Sequence, residues 1–449
     1  MKRKVYDLLL KWKNEHQGRN ALLIDGARRV GKSFIVEEFA KNEYDSFVFI
    51  DFNNVQKQIL ELFENYLTDL DTFFMYLGLY TGVKLVPRKT LIVFDEVQNY
   101  PPARASIKYL VKDGRFDYIE TGSLVSINKN VKNITIPSEE VRIKMYPMDF
   151  EEFLWALGET SIWELIKFQF EKKRPMGDDM HRKAMTLFRQ YLIVGGMPQA
   201  VASYVETRDF EKTDTVKRAI ISLYRSDIQK YAEGYESKVT SIFDQIPSQL
   251  QKHEKKFRLS GLKKGGRMRE YETSFFWLEE SMVTNHCYGA TEPSIGLSLK
   301  LDSSALKCYM ADTGLLISMA FNEKAIADDS LYKKLMMGKL EINEGMLIEN
   351  IVAQMLRAAG HKLYFFSNYS TQKEDKMEID FLIAKATTTS RHNISPIEVK
   401  SGTNYTLNSL NKCITKYKNH LATPYVIHTA DYAEKNGVCY LPIYMTPLL

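Results

Sequence analysis

The octapeptide Gly26-Ala-Arg-Arg-Val-Gly-Lys32-Ser33 decides the reading of this chain. It has the pattern G-x-x-x-x-G-K-S of a phosphate-binding loop. Ahead of it, Ala21-Leu-Leu-Ile-Asp25 is a short apolar run suited to a buried parallel strand. Behind it, residues 32–41 read as a helix carrying Phe34, Ile35 and Phe39. Glycine lets the backbone wrap closely, so main-chain N–H groups can point at phosphate oxygens, and the helix N-terminus adds a favourable field. Gly26, Ala27, Arg28, Arg29, Val30, Gly31, Lys32, Ser33 and Phe34 are therefore the candidate nucleotide contacts. Lys32 supplies positive charge to the β/γ-phosphates, and the Ser33 hydroxyl is a ligand for Mg²⁺.

Such a loop needs acids at a second strand end. Leu91-Ile-Val-Phe94 followed by Asp95-Glu96 meets that need. Asp95 is the candidate Mg²⁺ residue, and Glu96 the candidate that orients and polarises the attacking water. A further strand, Phe116-Asp-Tyr-Ile-Glu120, runs into Thr121-Gly122-Ser123. A hydroxyl at that strand end either reaches the γ-phosphate or the water, or caps a Gly-containing turn.

The chain has 449 residues, room for about three domains. Apolar residues make up 45% and charged residues 26%, an ordinary globular balance. A net charge of +5 is too weak to declare a nucleic-acid binder, so local clustering must decide. Cys287, Cys308, Cys413 and Cys439 are far apart and form no C-x-x-C pair, which argues against a zinc site or a disulfide framework. No apolar stretch approaches the ~18 residues of a membrane span, and Lys11 and Lys13 interrupt the first apolar run, so no signal peptide is expected. A cytoplasmic protein without membrane partners is the expectation.

Residues 1–150 alternate apolar strands at 21–25, 47–52, 91–94 and 118–120 with helical patterns, which implies an α/β parallel sheet with helices on both faces. Residues 151–230 look helical, with a break at Gly195-Gly-Met-Pro198. Residues 231–305 combine short helical patterns, a Gly-rich connection and a β-like stretch at 284–301, as in a winged helix. Within them, residues 252–269 hold Lys252, Lys255, Lys256, Arg258, Lys263, Lys264, Arg267 and Arg269 against Glu254 alone. That run is either a solvated surface or a contact for a nucleic-acid backbone. Residues 306–449 change character again, with a helical pattern at 347–359 and strands at 363–366, 378–383 and 394–399.

This last region holds a second constellation. In Ile397-Glu398-Val-Lys400-Ser-Gly402, Glu398 and Lys400 share one face of a strand because the side-chain period is two. Asp380, in Glu378-Ile-Asp380, opens another apolar strand. If the strands are neighbours, Asp380 and Glu398 can ligate one divalent cation, with Glu349 as a further ligand and Lys400 beside a metal-bound water. That layout cleaves phosphodiesters. The alternative is an ordinary strand with a surface ion pair.

Together these segments resemble a prokaryotic family of AAA+-like ATPases that join a P-loop module to a C-terminal domain similar to PD-(D/E)xK nucleases. The resemblance rests on GARRVGKS (26–33), LIVFDEVQ (91–98), TGS (121–123), YPMDFEEFL (146–154), GGMPQAV (195–201), YMADTGLL (309–316), EID (378–380) and IEVKSG (397–402). It implies a P-loop sheet with a helical lid (151–230), a winged-helix-like region (231–305) and a restriction-endonuclease-like α/β domain (306–449). It also implies ATP held with Mg²⁺ and hydrolysed, with Asp95 for magnesium, Glu96 for catalysis and Ser123 as a phosphate sensor. Arg142 lies where the family carries a G-R pair before Y-P-M, with Val141 in place of the glycine; it is either an arginine finger or a surface cation. The Pro-Asp of the nuclease motif is absent, since Asp380 follows Ile379. Three functions follow as expectations: an ATPase acting on DNA or other nucleic acid through 252–269, a metal-dependent nuclease besides, or a nucleotide switch whose nuclease-like domain only binds. A homo-oligomer is left open.

Overall fold

The computed structural model describes residues 1–122, 138–252, 255–294, 296–321, 329–339, 344–369, 372, 375–384, 393–402 and 404–449. Two compact units emerge: Met1–Tyr146 with Glu280–Met282, and Pro147–Glu279 with Val283–Leu449.

In the first unit, five strands form a wholly parallel sheet: β1 (Ala21–Gly26), β2 (Ser46–Asp51), β3 (Thr90–Asp95), β4 (Asp117–Gly122) and β5 (Glu140–Met145), in the order β2-β3-β4-β1-β5. The strands β1, β3 and β4 are buried along their whole length, which is why they read as continuous apolar runs. Alternation sends Leu23, Ile92 and Phe94 into one core and Leu22, Ile24, Leu91 and Val93 into the other. Helices α1 (Val5–His16) and α2 (Lys32–Glu43) pack into the second core, and α3 (Lys57–Asn65), α4 (Leu70–Thr81) and α5 (Pro101–Asp113) into the first. The α/β expectation holds. The strand β5 escaped it, because Glu140, Arg142 and Lys144 alternate with Val141 and Ile143 and interrupt the apolar signal.

In the second unit, the helices Phe150–Leu157, Thr160–Lys172, Asp178–Val194, Pro198–Thr207, Phe210–Tyr231 and Glu236–Leu250 precede a mixed sheet of eight strands. These are β6 (Thr284–Ala290), β7 (Leu301–Met310), β8 (Leu363–Asn368), β9 (Met377–Ala384), β10 (Ile394–Val399), β11 (Tyr425–His428), β12 (Ala433–Lys435) and β13 (Val438–Pro442), in the order β12-β13-β11-β10-β9-β8-β6-β7. The expected boundary at 305/306 therefore runs through β7. The strand β6, expected in a separate middle region, pairs parallel with β8.

The helices expected as a lid belong to the same compact unit as this sheet, and the reason lies in Gly195-Gly-Met-Pro198 and Ala311-Asp-Thr-Gly314. The Asp312 carboxylate accepts the Gly196 N–H at 2.5 Å and the Leu315 N–H at 2.9 Å, capping the helix Thr313–Ala320. A Cβ on Gly314 would lie 2.4 Å from the Val194 carbonyl oxygen, and one on Gly196 2.0 Å from that of Met148, so both positions require glycine. Asn350 and Gln354 clamp the same segment from the helix Glu344–Ala358, through Met310 and Thr313.

Candidate active site

The loop between β1 and α2 turns through left-handed backbone at Arg29 (φ 68°) and Gly31 (φ 98°). Gly26 is held to glycine by the Met145 carbonyl of β5, which a Cβ would meet at 2.5 Å. Ala27 and Val30 are buried beneath the loop, while Arg28, Arg29 and Phe34 are exposed. Lys32 is buried and folded back, donating to the carbonyls of Gly26 at 2.9 Å and Ala27 at 3.1 Å. Burial lowers its pKa, against the opposing charges of Glu96, Asp25 and Asp95. The ammonium group's hydrogen bonds go to neutral carbonyl oxygens, and exchanging them for phosphate oxygens would give stronger, charge-assisted bonds.

Parallel pairing of β3, β4 and β1 brings their C-terminal ends to one edge. There the Asp95 Oδ1 accepts the Ser33 hydroxyl at 2.8 Å and the Thr121 hydroxyl at 2.5 Å. Burial raises the Asp95 pKa, and those hydroxyls oppose it. Glu96 is only partly buried and sits at φ 53°; its N–H donates to the Thr121 hydroxyl at 3.2 Å, and its carboxylate takes the Gln98 amide at 2.5 Å. A non-glycine residue in that region marks a constrained position at the site. Ser33 and Asp95 offer the hard oxygen donors that Mg²⁺ prefers.

Thr121 was not among the expected residues; the hydroxyl expected from the same T-G-S was Ser123, which lies outside the described residues. The two hydroxyls lie two residues apart in the sequence, and sequence alone does not choose between them. Arg142 donates to Glu140 at 2.7 Å, and the other Glu140 oxygen takes the fully buried Arg104 of α5 at 2.8 Å. It stands in an ion-pair cluster that ties β5 to α5.

In the second unit the expected residues do come together, but not alone. The strand β9 presents Glu378 and Asp380 on one face, β10 carries Glu398, and the helix Glu344–Ala358 supplies Glu349. Lys307 of β7, 1% exposed, places its ammonium 3.3 Å from Glu349, 3.5 Å from Glu378 and 3.9 Å from Asp380. Lys255 and the Tyr309 hydroxyl also bond Glu349. Burial pushes the Glu349 pKa up, but Lys255 and Lys307 outweigh it and hold it at about 2. Lys400 bonds Glu398 at 2.7 Å, while burial and then the Asp380 charge push Glu398 up to about 8. Among the described residues no group of three His, Cys, Asp or Glu side chains is set to hold a metal ion. The expected divalent set of Glu349, Asp380 and Glu398 meets a lysine where the cation was expected. The only forewarning in the sequence was Lys307 itself, a charged residue inside the otherwise apolar stretch Ala305-Leu-Lys-Cys-Tyr-Met310.

The basic run divides in two. Lys255 turns inward to Glu349, and Lys256 lies over the Tyr369 ring at 4.3 Å. Lys263, Lys264, Arg267 and Arg269 are exposed, Lys263 with only a loose 3.8 Å contact to Glu270.

The loop, the paired strand ends and the strand order define a P-loop nucleotide-hydrolysing module. Comparison agrees: residues 18–154 match a family model described as "AAA domain". Residues 185–325 match "Domain of unknown function (DUF8612)", and residues 344–445 match "Domain of unknown function (DUF4143)". The N-terminal unit is thus a P-loop ATPase whose sequence is similar to that AAA-domain model. Among solved structures the chain is similar to a Walker-type ATPase of Pyrococcus abyssi, with 15% identity and a TM-score of 0.42 over 71% of this chain and 95% of that one; a likeness so distant carries neither fold nor activity across. No curated protein matches. Among the described residues no helix is long and apolar enough to cross a membrane.

Proposed function

We propose that this protein binds ATP with Mg²⁺ in the loop of residues 26–33, hydrolyses it, and couples that cycle to nucleic acid. The observation that carries the reading is Asp95 joined by hydrogen bonds to both Ser33 and Thr121 at the mouth of that loop. Ser33 and Asp95 would hold the magnesium ion, which when bound neutralises phosphate charge. Lys32 leaves the Gly26 and Ala27 carbonyls to pair with the β/γ-phosphates. Glu96, kept partly solvated by its place after β3, orients the attacking water and takes its proton. Thr121 holds Asp95 and, through the Glu96 N–H, fixes the backbone that aims Glu96.

The exposed quartet Lys263, Lys264, Arg267 and Arg269 supports contact with a phosphate backbone. We leave phosphodiester cleavage out of the proposed activity: its carboxylates are already paired with Lys255, Lys307 and Lys400. The test is ATP turnover of the full chain with and without single- and double-stranded DNA and RNA, across a salt series. One of these polymers should alter turnover, and replacing the quartet with alanine should remove the response and flatten the logarithmic salt slope of binding by roughly 3–4, at about 0.9 per neutralised phosphate. A quartet variant with the wild-type response and slope would refute the assignment.

A further inference from the structure

We infer that the Lys307 ammonium is the resident cation of the C-terminal carboxylate cluster, and that the cluster as folded excludes a divalent metal ion. The inference stands apart from the nucleotide reading, and either can fail alone.

The lone pairs are the first argument. Glu349 Oε1 accepts from Tyr309 and from Lys307, and Oε2 from Lys255. Asp380 Oδ2 accepts the Val399 N–H at 2.8 Å, and its Oδ1 lies 3.9 Å from the Lys307 ammonium. Glu398 Oε1 is taken by Lys400, while its buried Oε2 has no hydrogen-bond partner among the described residues. A magnesium or manganese ion needs several carboxylate or water oxygens at about 2.0–2.6 Å and cannot share a centre with an ammonium group. Charge is the second argument. Glu349, Glu378, Asp380 and Glu398 face Lys255, Lys307 and Lys400, so the ionised cluster is within about one charge of neutrality. A dication added to a buried, nearly neutral cluster is opposed by three ammonium groups at short range. Access is the third. Lys307 cannot swing to solvent easily, because it is 1% exposed on β7 and lies 5.1 Å from the Phe365 ring.

The cluster is on this account a lysine-filled ion-pair core that joins β7, β9 and the helix Glu344–Ala358. Its second consequence concerns the basic run: Lys255 is committed to that core and is withheld from any nucleic-acid surface.

The experiment is Mn²⁺ binding to the nucleotide-free full chain, counted by the electron paramagnetic resonance of free Mn²⁺, with Asp95→Asn throughout to silence the P-loop site. The Asp95→Asn chain should bind no stoichiometric Mn²⁺. Adding Lys307→Met should create one site at least tenfold tighter than any residual binding, and Asp380→Asn should abolish that new site. Stoichiometric Mn²⁺ in Asp95→Asn that disappears with Asp380→Asn would overturn the inference, as would a folded Lys307→Met chain that gains no site. Should Lys307→Met fail to fold, the Asp95→Asn and Asp95→Asn/Asp380→Asn pair decides the matter by itself.

Discussion

Replacing Asp312 with alanine removes the carboxylate that ties Gly195-Gly-Met-Pro198 to the helix Thr313–Ala320. The Asp312 side chain is 1% exposed and accepts two buried main-chain N–H groups, those of Gly196 and Leu315. Alanine leaves both donors unpaired, and each buried orphan costs about 1–3 kcal/mol. Part of that loss is the helix cap itself, typically ~1 kcal/mol. Burial raises the Asp312 pKa, so the native carboxylate already carries a desolvation cost, which lowers the net effect of losing it. A loss of about 3 kcal/mol is the expectation, roughly a hundredfold in the folding equilibrium. Asparagine keeps one acceptor oxygen but turns an NH₂ towards a donor, so it should recover less than half. Urea unfolding followed by tryptophan fluorescence is a suitable assay, because Trp155, Trp163 and Trp277 all belong to the unit that contains Asp312. A variant within about 0.5 kcal/mol of wild type would refute the structural role given to Asp312.

Two further outcomes follow from the same reasoning. Glu96→Gln should retain ATP binding while turnover falls by about 10²-fold or more, as expected for loss of a general base; wild-type turnover in that variant removes Glu96 from the chemistry. His286 is buried against Glu279 at 3.4 Å; burial would lower its pKa, but Cys308 and Glu279 outweigh it and bring it up to about 9. A histidine raised in the folded state contributes stability that is complete below the unfolded value of about 6.5 and is lost as pH rises through 9, here about 3 kcal/mol. Thermal midpoints between pH 6 and 10 should therefore fall more steeply in wild type than in His286→Gln, and parallel curves would count against the pairing.

Legibility followed the distance over which each feature is written. The phosphate loop was readable because glycines, lysine and serine are contiguous and flanked by a fully buried strand and a helix. Asp95-Glu96 was readable because β3 is apolar to its last residue. The strand β5 was not, since its alternating charges hide a strand that only the neighbouring β1 makes necessary. Gly195-Gly-Met-Pro198 and Ala311-Asp-Thr-Gly314 were visible as motifs, but their purpose, packing against each other over more than a hundred residues of chain, belongs to the fold. Lys307 was hardest. Its partners come from the helix Glu344–Ala358 and from β9, and a single lysine in Leu301–Met310 carries no local mark of burial.

The claim on which the account rests is that Lys32 and the loop around it hold a nucleoside triphosphate. Isothermal titration of MgATP into the full chain and into Lys32→Ala measures it directly. Wild type should show one saturable site per chain, and Lys32→Ala should lose it by tenfold or more in affinity. Equal affinity in the two proteins, or no saturable heat in wild type, would contradict the account.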